Sequence, residues 1–118
     1  MRRVLKYVLS ASMCLAAVAG AHAAEPLKLK QMAPIDVDGK GAGIRQPEGV
    51  GCRGNALVVA DTGNGRLLRY TIAGDTWTPG GEIVLPQLPS PLRVDVNSKG
   101  EIFALDGQSR KIARVAAS

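Results

Sequence analysis

The chain repeats itself, and the spacing of the repeat limits what it can fold into. ALVVADTGNGRLLRY, from Ala56 to Tyr70, lies over EIFALDGQSRKIARV, from Glu101 to Val115, without a gap. In that register Asp61 falls on Asp106, 45 residues further on. Upstream, Pro47-Glu48-Gly49-Val50 falls on Pro91-Leu92-Arg93-Val94 at an offset of 44, and Gly54 falls on Gly100. A turn absorbs that small drift. Each repeat is too short to bury both faces of its own sheet, so the repeats must stack on one another.

The apolar runs inside the repeats read as strands. Each is four to seven residues long, rich in Val, Ile and Leu, and bounded by Gly, Pro or Asn. None has the ten or more residues of an ordinary helix. Seven strands are expected over 48–52, 56–61, 67–72, 82–86, 92–96, 101–106 and 111–117. Short turns join them: 53–55, the TGNG of 62–65, 73–75, 97–100 and 107–110. WTPGG (77–81) and QLPSP (87–91) read as loops. Asn64-Gly65 suits the positive φ angles of a tight hairpin. Consecutive strands with short turns form an antiparallel meander. Upstream, LKLKQM (27–32) alternates as a short strand would, and Pro34, Gly39, Gly41 and Gly43 break up a loop after it.

The first two dozen residues have a different logic. Arg2, Arg3 and Lys6 precede an apolar stretch from Val8 to Gly20, which ends in Ala21-His22-Ala23. A basic start, a short apolar run and small residues at a cleavage position make a secretory signal peptide over 1–23. The run is too short to span a bilayer comfortably. Met13 stands before Cys14, where a lipoprotein needs a small residue. Cleavage after Ala23 leaves 95 residues for a periplasmic or secreted protein, with no membrane attachment.

Removing the signal changes the chemistry on offer. The only histidine, His22, departs, as does Cys14, so Cys52 has no internal disulfide partner. Three of the 15 basic residues go and all 10 acidic ones stay, which leaves a net charge of +2. No basic cluster with interleaved aromatics remains, which speaks against nucleic acid as a partner. Without histidine there is no Ser–His or Cys–His nucleophile, no histidine base and no histidine metal ligand. The ten carboxylates are scattered. The expectation is a protein that is not an enzyme, with no catalytic residue, no metal and no cofactor.

PEGVGCRGNALVVADTGNGRLLRYTIAG resembles an NHL repeat. Its Pro-x-Gly-Val opening is Pro47, Gly49 and Val50; its glycine turn is Gly54; its Asp-Thr-Gly-Asn-x-Arg run is Asp61, Thr62, Gly63, Asn64 and Arg66. Gly65 completes the turn. The second copy keeps Pro91, Val94, Gly100 and Asp106, with Lys111 in place of the arginine. The resemblance implies an all-β fold: a partial β-propeller of roughly two four-stranded antiparallel blades, the second incomplete. Repeats of this length are typical of such blades. The organisation is then an N-terminal extension and Gly-rich loop at 24–46, a first repeat at 47–90 and a truncated second repeat at 91–118. It also implies a non-enzymatic scaffold that binds proteins or other ligands on one propeller face, with open blade edges free to self-associate. The other implied function is a fragment of a metal-dependent propeller enzyme, lactonase- or lyase-like, lacking most of its active site.

The Asp-Thr-Gly-Asn-Gly-Arg run offers oxygen ligands of the kind calcium takes, but lacks the later acidic ligand of an EF-hand loop. Turn chemistry accounts for it: Asp61 and Asn64 bond the turn backbone and Gly65 supplies the φ angle. Asp106 takes the same role, and Asp95 lies on the polar face of a strand. Arg45, Arg66, Arg69, Arg93, Arg110 and Arg114 read as solvated strand residues, with Arg69 outward between Leu68 and Tyr70. The competing role is a face for an acidic or phosphate-bearing partner. Cys52 is expected to be a buried thiol, and Trp77 to pack its loop against the sheet.

Overall fold

The computed structural model describes residue 20 and residues 23–117. The proposed signal peptide therefore lies outside the described residues, apart from Gly20 and Ala23. The chain falls into two units, Met1–Lys30 and Gln31–Ser118. In the first, residues 23–30 have no regular structure, and Leu27 and Leu29 are exposed. The strand expected over 27–32 is absent. Its alternation has no sheet to pair with, and a lone strand leaves its backbone groups to water. No helix among the described residues is long and apolar enough to cross a membrane.

The second unit is all-β. Its strands are β1 (Pro47–Arg53), β2 (Ala56–Asp61), β3 (Arg66–Ala73), β4 (Thr76–Ile83), β5 (Pro91–Val96), β6 (Ile102–Asp106) and β7 (Ile112–Val115). They form a four-stranded antiparallel sheet in the order β1-β2-β3-β4 and a three-stranded one in the order β5-β6-β7. Six strands sit within a residue or two of the positions expected at one end or both. The fourth does not: it is Thr76–Ile83, where 82–86 was expected. WTPGG is strand, and the chain turns directly from β3 at Gly74. Pro79 is tolerated because β4 is an edge, and a bulge near Gly80 lets Tyr70 pair with Pro79 while Arg69 pairs with Gly81.

Side-chain alternation gives each sheet two faces. From the first sheet Val58, Ala60 and Leu67 point at the second, where they meet Val94, Val96, Ile102 and Ala104. Leu88, from the connection between the sheets, completes this core. A fully buried leucine such as Leu67 contributes about 2 kcal/mol through lost water contact. The opposite face of the first sheet carries Val59, Leu68 and Tyr70, covered by Ile35 and Ile44. The segment 35–45 thus lies as a strap over that face. The Tyr70 and Trp77 rings meet edge to face at 5.5 Å, so Trp77 packs from within β4 rather than from a loop.

The first strands of the two sheets touch through backbone. A Cβ at Gly49 would stand 2.4 Å from the Leu92 carbonyl oxygen, and one at Gly51 would stand 2.7 Å from that of Val94. Only glycine allows β1 and β5 to come this close. Cys52, one residue on, is exposed. The expectation of a buried thiol fails because β1 is an edge strand whose inward positions are occupied by these glycines.

Candidate functional site: the Asp61–Arg66 turn and its strap

The run that the sequence singles out closes the β2–β3 hairpin. Thr62–Asn64 form one turn of 3-10 helix, and Gly65 ends it with φ 64° and ψ 38°. Within the TGNG turn the positive φ falls on Gly65 and not on Asn64, so the connection is a short helical turn in place of the tight hairpin that Asn64-Gly65 suggested. Asp61 ends β2 fully buried. Its Oδ1 accepts the Arg45 amide at 2.7 Å, and its Oδ2 accepts Asn64 Nδ2 at 2.9 Å and Arg66 Nε at 2.7 Å.

These bonds reach outward from the turn to the strap. Asn64 Nδ2 also donates to the Gly43 carbonyl at 3.1 Å, and the Gly63 amide to that of Arg45 at 2.8 Å. Asp61 and Asn64 were expected to bond the turn's own backbone. Instead they hold the chain as it arrives at the sheet, because the turn satisfies itself through the Gly65 amide and the Thr62 carbonyl. Thr62 Oγ1 donates to the Pro91 carbonyl at 2.6 Å, which ties the same turn to the start of β5.

Arg66 is the hub. Its Nη1 lies 2.7 Å from Asp38 Oδ2 and 2.9 Å from Glu82 Oε2, while Nε holds Asp61. The Arg66 side chain is only 11% exposed. The Asp61 hydrogen bond, first among its contacts, raises the guanidinium pKa further above its already high value, against the pull of burial. Asp38 holds the strap in shape: its Oδ1 accepts the Lys40 and Ala42 amides, each at 2.8 Å. The Ala42 and Lys40 amides, followed by Arg66, hold the Asp38 carboxyl below its ordinary pKa. Tyr70 Oη donates to the Val37 carbonyl at 2.9 Å, and burial raises its pKa.

The second sheet repeats half of this scheme. Asp106 ends β6 buried. Its Oδ1 accepts the Ser90 amide and its Oδ2 the Ser109 amide, both at 2.6 Å. Ser90 lies 45 residues beyond Arg45, so each aspartate grips the same position of the chain entering its sheet. Burial pushes the Asp106 pKa up, but the Ser109 and Ser90 amides outweigh it and the net shift is down. Lys111, which replaces the arginine, is exposed.

The remaining motif residues serve the backbone. Pro47 starts β1 opposite Asp61, with a bulge before Gly49. Val50 is 64% exposed and joins no core. Arg69, expected to face solvent, is half-buried, because alternation sets it opposite Val58 on the face that packs on the second sheet, with Gly80 of β4 close to its Cβ. Asp95 is exposed on β5. Sequence reasoning missed Asp38 and Glu82. Asp38 could have been found from Asp-Gly-Lys-Gly, since an aspartate before a glycine turn commonly bonds the amides that follow it.

Chemically, the carboxylates of Asp38 and Asp61 face inward onto amides and Arg66. That is the arrangement of a fastener. Among the described residues, no group of three or more His, Cys, Asp or Glu is placed to hold a metal ion. A depression of about 240 Å³ lies between strap and β4, lined by Asp38, Lys40, Tyr70, Pro79 and Glu82 among others. No protein-family model and no curated protein matches the chain.

Proposed function

We propose that the chain is an exported, non-enzymatic binding scaffold of the NHL-repeat kind, in which the two sheets are successive blades of a partial β-propeller. The observation that carries this reading is the 45-residue identity of role between Asp61 and Asp106. Each buried aspartate grips the chain entering its own sheet, at Arg45 and at Ser90. A motif whose polar atoms are spent on holding repeated sheets together belongs to a framework. On such a framework, binding falls to the strands and loops left uncovered. The close approach of β1 and β5 at Gly49 and Gly51 supports the same reading, since stacked blades bring their first strands together.

Export is tested by producing the full chain in a bacterium and taking the intact mass of the protein from the periplasmic fraction. The expected product begins at Ala24. A chain that stays in the cytosol at its full mass contradicts export and leaves the fold untouched.

A further inference from the structure

The chain enters the first sheet through the strap and the second sheet through residues 84–90. The two segments are anchored differently. Residues 84–90 run from β4 to β5, so both ends continue into strands, and Leu88 among them is 1% exposed in the core. The strap continues into a strand only at β1. Its other end meets residues 31–34, which are exposed and have no regular structure. Segments with few buried apolar contacts open ahead of the whole fold.

The strap also holds its own shape. The Ile44 amide donates to the Asp36 carbonyl at 2.9 Å and the Asp38 amide to that of Ala42 at 2.8 Å, while Val37 bridges Gly43. At the tip, Gly41 takes φ 79° and Asp38 Oδ1 accepts the Lys40 and Ala42 amides. None of these bonds involves the sheet beneath. What fastens residues 35–44 to that sheet is a short set: Asp38 Oδ2 on Arg66 Nη1 at 2.7 Å, the Val37 carbonyl on Tyr70 Oη at 2.9 Å, and the Gly43 carbonyl on Asn64 Nδ2 at 3.1 Å. Lys40 and Glu82, an exposed pair at 3.7 Å, add little. The apolar cover is Ile35 and Ile44, each only half-buried. Arg45, the next residue, is gripped on both sides, its amide by Asp61 and its carbonyl by the Gly63 amide. It is a fixed point.

The repeat register says what lies underneath. Forty-five residues beyond Leu57, Val59, Leu68 and Tyr70 stand Ile102, Ala104, Ala113 and Val115, the side chains with which the second sheet presses on the first. The strap therefore covers the sheet-packing face of its repeat.

We propose that residues 35–44 are a hinged flap, which swings off the first sheet as one piece about Arg45 while both sheets stay folded, and that the Asp38–Arg66 contact is its latch. Closed, the flap hides Val59, Leu68 and Tyr70. Open, it bares the face by which a sheet of this repeat packs on its neighbour. The proposal needs only the folded sheets, so it stands or falls apart from export and binding.

The test is thiol labelling at adjacent positions on opposite faces of β2, with Cys14→Ser and Cys52→Ser removing the native thiols. Val59→Cys sets a thiol under the flap, and Val58→Cys sets one between the sheets. In variants that keep the β spectrum by circular dichroism, the thiol at position 59 is expected to react with an aromatic disulfide reagent about a hundredfold faster than that at 58, at a rate that low urea leaves unchanged. Asp38→Asn keeps the acceptor for the tip amides and removes the charge of the latch, and is expected to speed labelling at position 59 about tenfold. Hydrogen exchange on the native chain gives the same reading without a cysteine substitution, should either variant fail to fold. There the Ile44 amide is expected to exchange well ahead of the β2 amides and independently of low urea. Equal labelling at 58 and 59, both rising with urea, would show that the strap leaves only when the whole fold does, and overturns the proposal. So does labelling at 59 that Asp38→Asn leaves unchanged, or an Ile44 amide that exchanges in step with β2.

Discussion

Asp61 and Asp106 occupy the same place in their sheets, and both are buried, yet among the described residues only the first has a cation against it. Asp61 faces Arg66, which also holds Asp38 of the strap and Glu82 of β4. Asp106 is held by neutral donors, the Ser90 and Ser109 amides together with the Gln108 amide and the Ser109 hydroxyl. The essential pairing is the one both turns keep, from carboxylate to the amide of the arriving chain. The arginine is needed where further carboxylates converge. Among the described residues no carboxylate forms an ion pair with Lys111, which is exposed.

If that distinction is right, the two cationic positions differ sharply. Arg66→Leu leaves buried Asp61 and Asp38 without their counter-charge and is expected to cost about 3–5 kcal/mol. Lys111→Leu, its repeat equivalent, should stay within about 0.5 kcal/mol, as exposed positions do. Urea denaturation of the two variants measures both. Equal losses would mean the turns are built alike.

A smaller effect is expected at the second aspartate. Asp106→Ala leaves the Ser90 and Ser109 amides without their acceptor, a loss of about 1–3 kcal/mol by the same denaturation. A negligible change would show that the entering chain is held by packing, with Leu88 as the anchor.

Acid should loosen both regions together. Asp38, Asp106 and Glu101 all have lowered pKa values in the fold, Glu101 through Arg114 and then Asn97. The folded state therefore binds their protons less tightly than the unfolded chain, and stability rises with pH across the carboxylate range. It is fully present above the unfolded values, about 4, and is lost as pH falls through the folded ones. A melting temperature that is flat from pH 7 to 5 and drops below about 4 is expected.

The strands and the turn aspartates were legible in the sequence because their signals are local. β2 and β6 are short apolar runs that end in aspartate just before a glycine-bearing turn, and β3 carries its alternation in consecutive residues. β4 was hidden by Pro79-Gly80-Gly81, which reads as a loop but lies at a sheet edge with a bulge to accommodate it. Of the candidate site, Asp61, Asn64, Gly65, Arg66 and Asp106 stood out, and their partners did not. Asp38 is 28 residues from Arg66 in the chain, and the amides of Arg45 and Ser90 are 16 residues from their carboxylates. The glycine contacts of β1 with β5 were invisible for the same reason, since Gly49 touches Leu92 only once the sheets stack. Cys52 misled because strand burial was read from apolar neighbours, without knowing that β1 is an edge.

The Arg45 and Ser90 amides offer the most direct test of the aspartates as fasteners. Hydrogen exchange at these two N–H groups, followed by NMR on the folded protein before and after calcium is added, separates the possibilities. Both amides are expected to exchange slowly without any ligand, with shifts that calcium leaves unmoved. Fast exchange at both, slowed only when calcium binds, would make the turns ligand sites and contradict the structural role assigned to them.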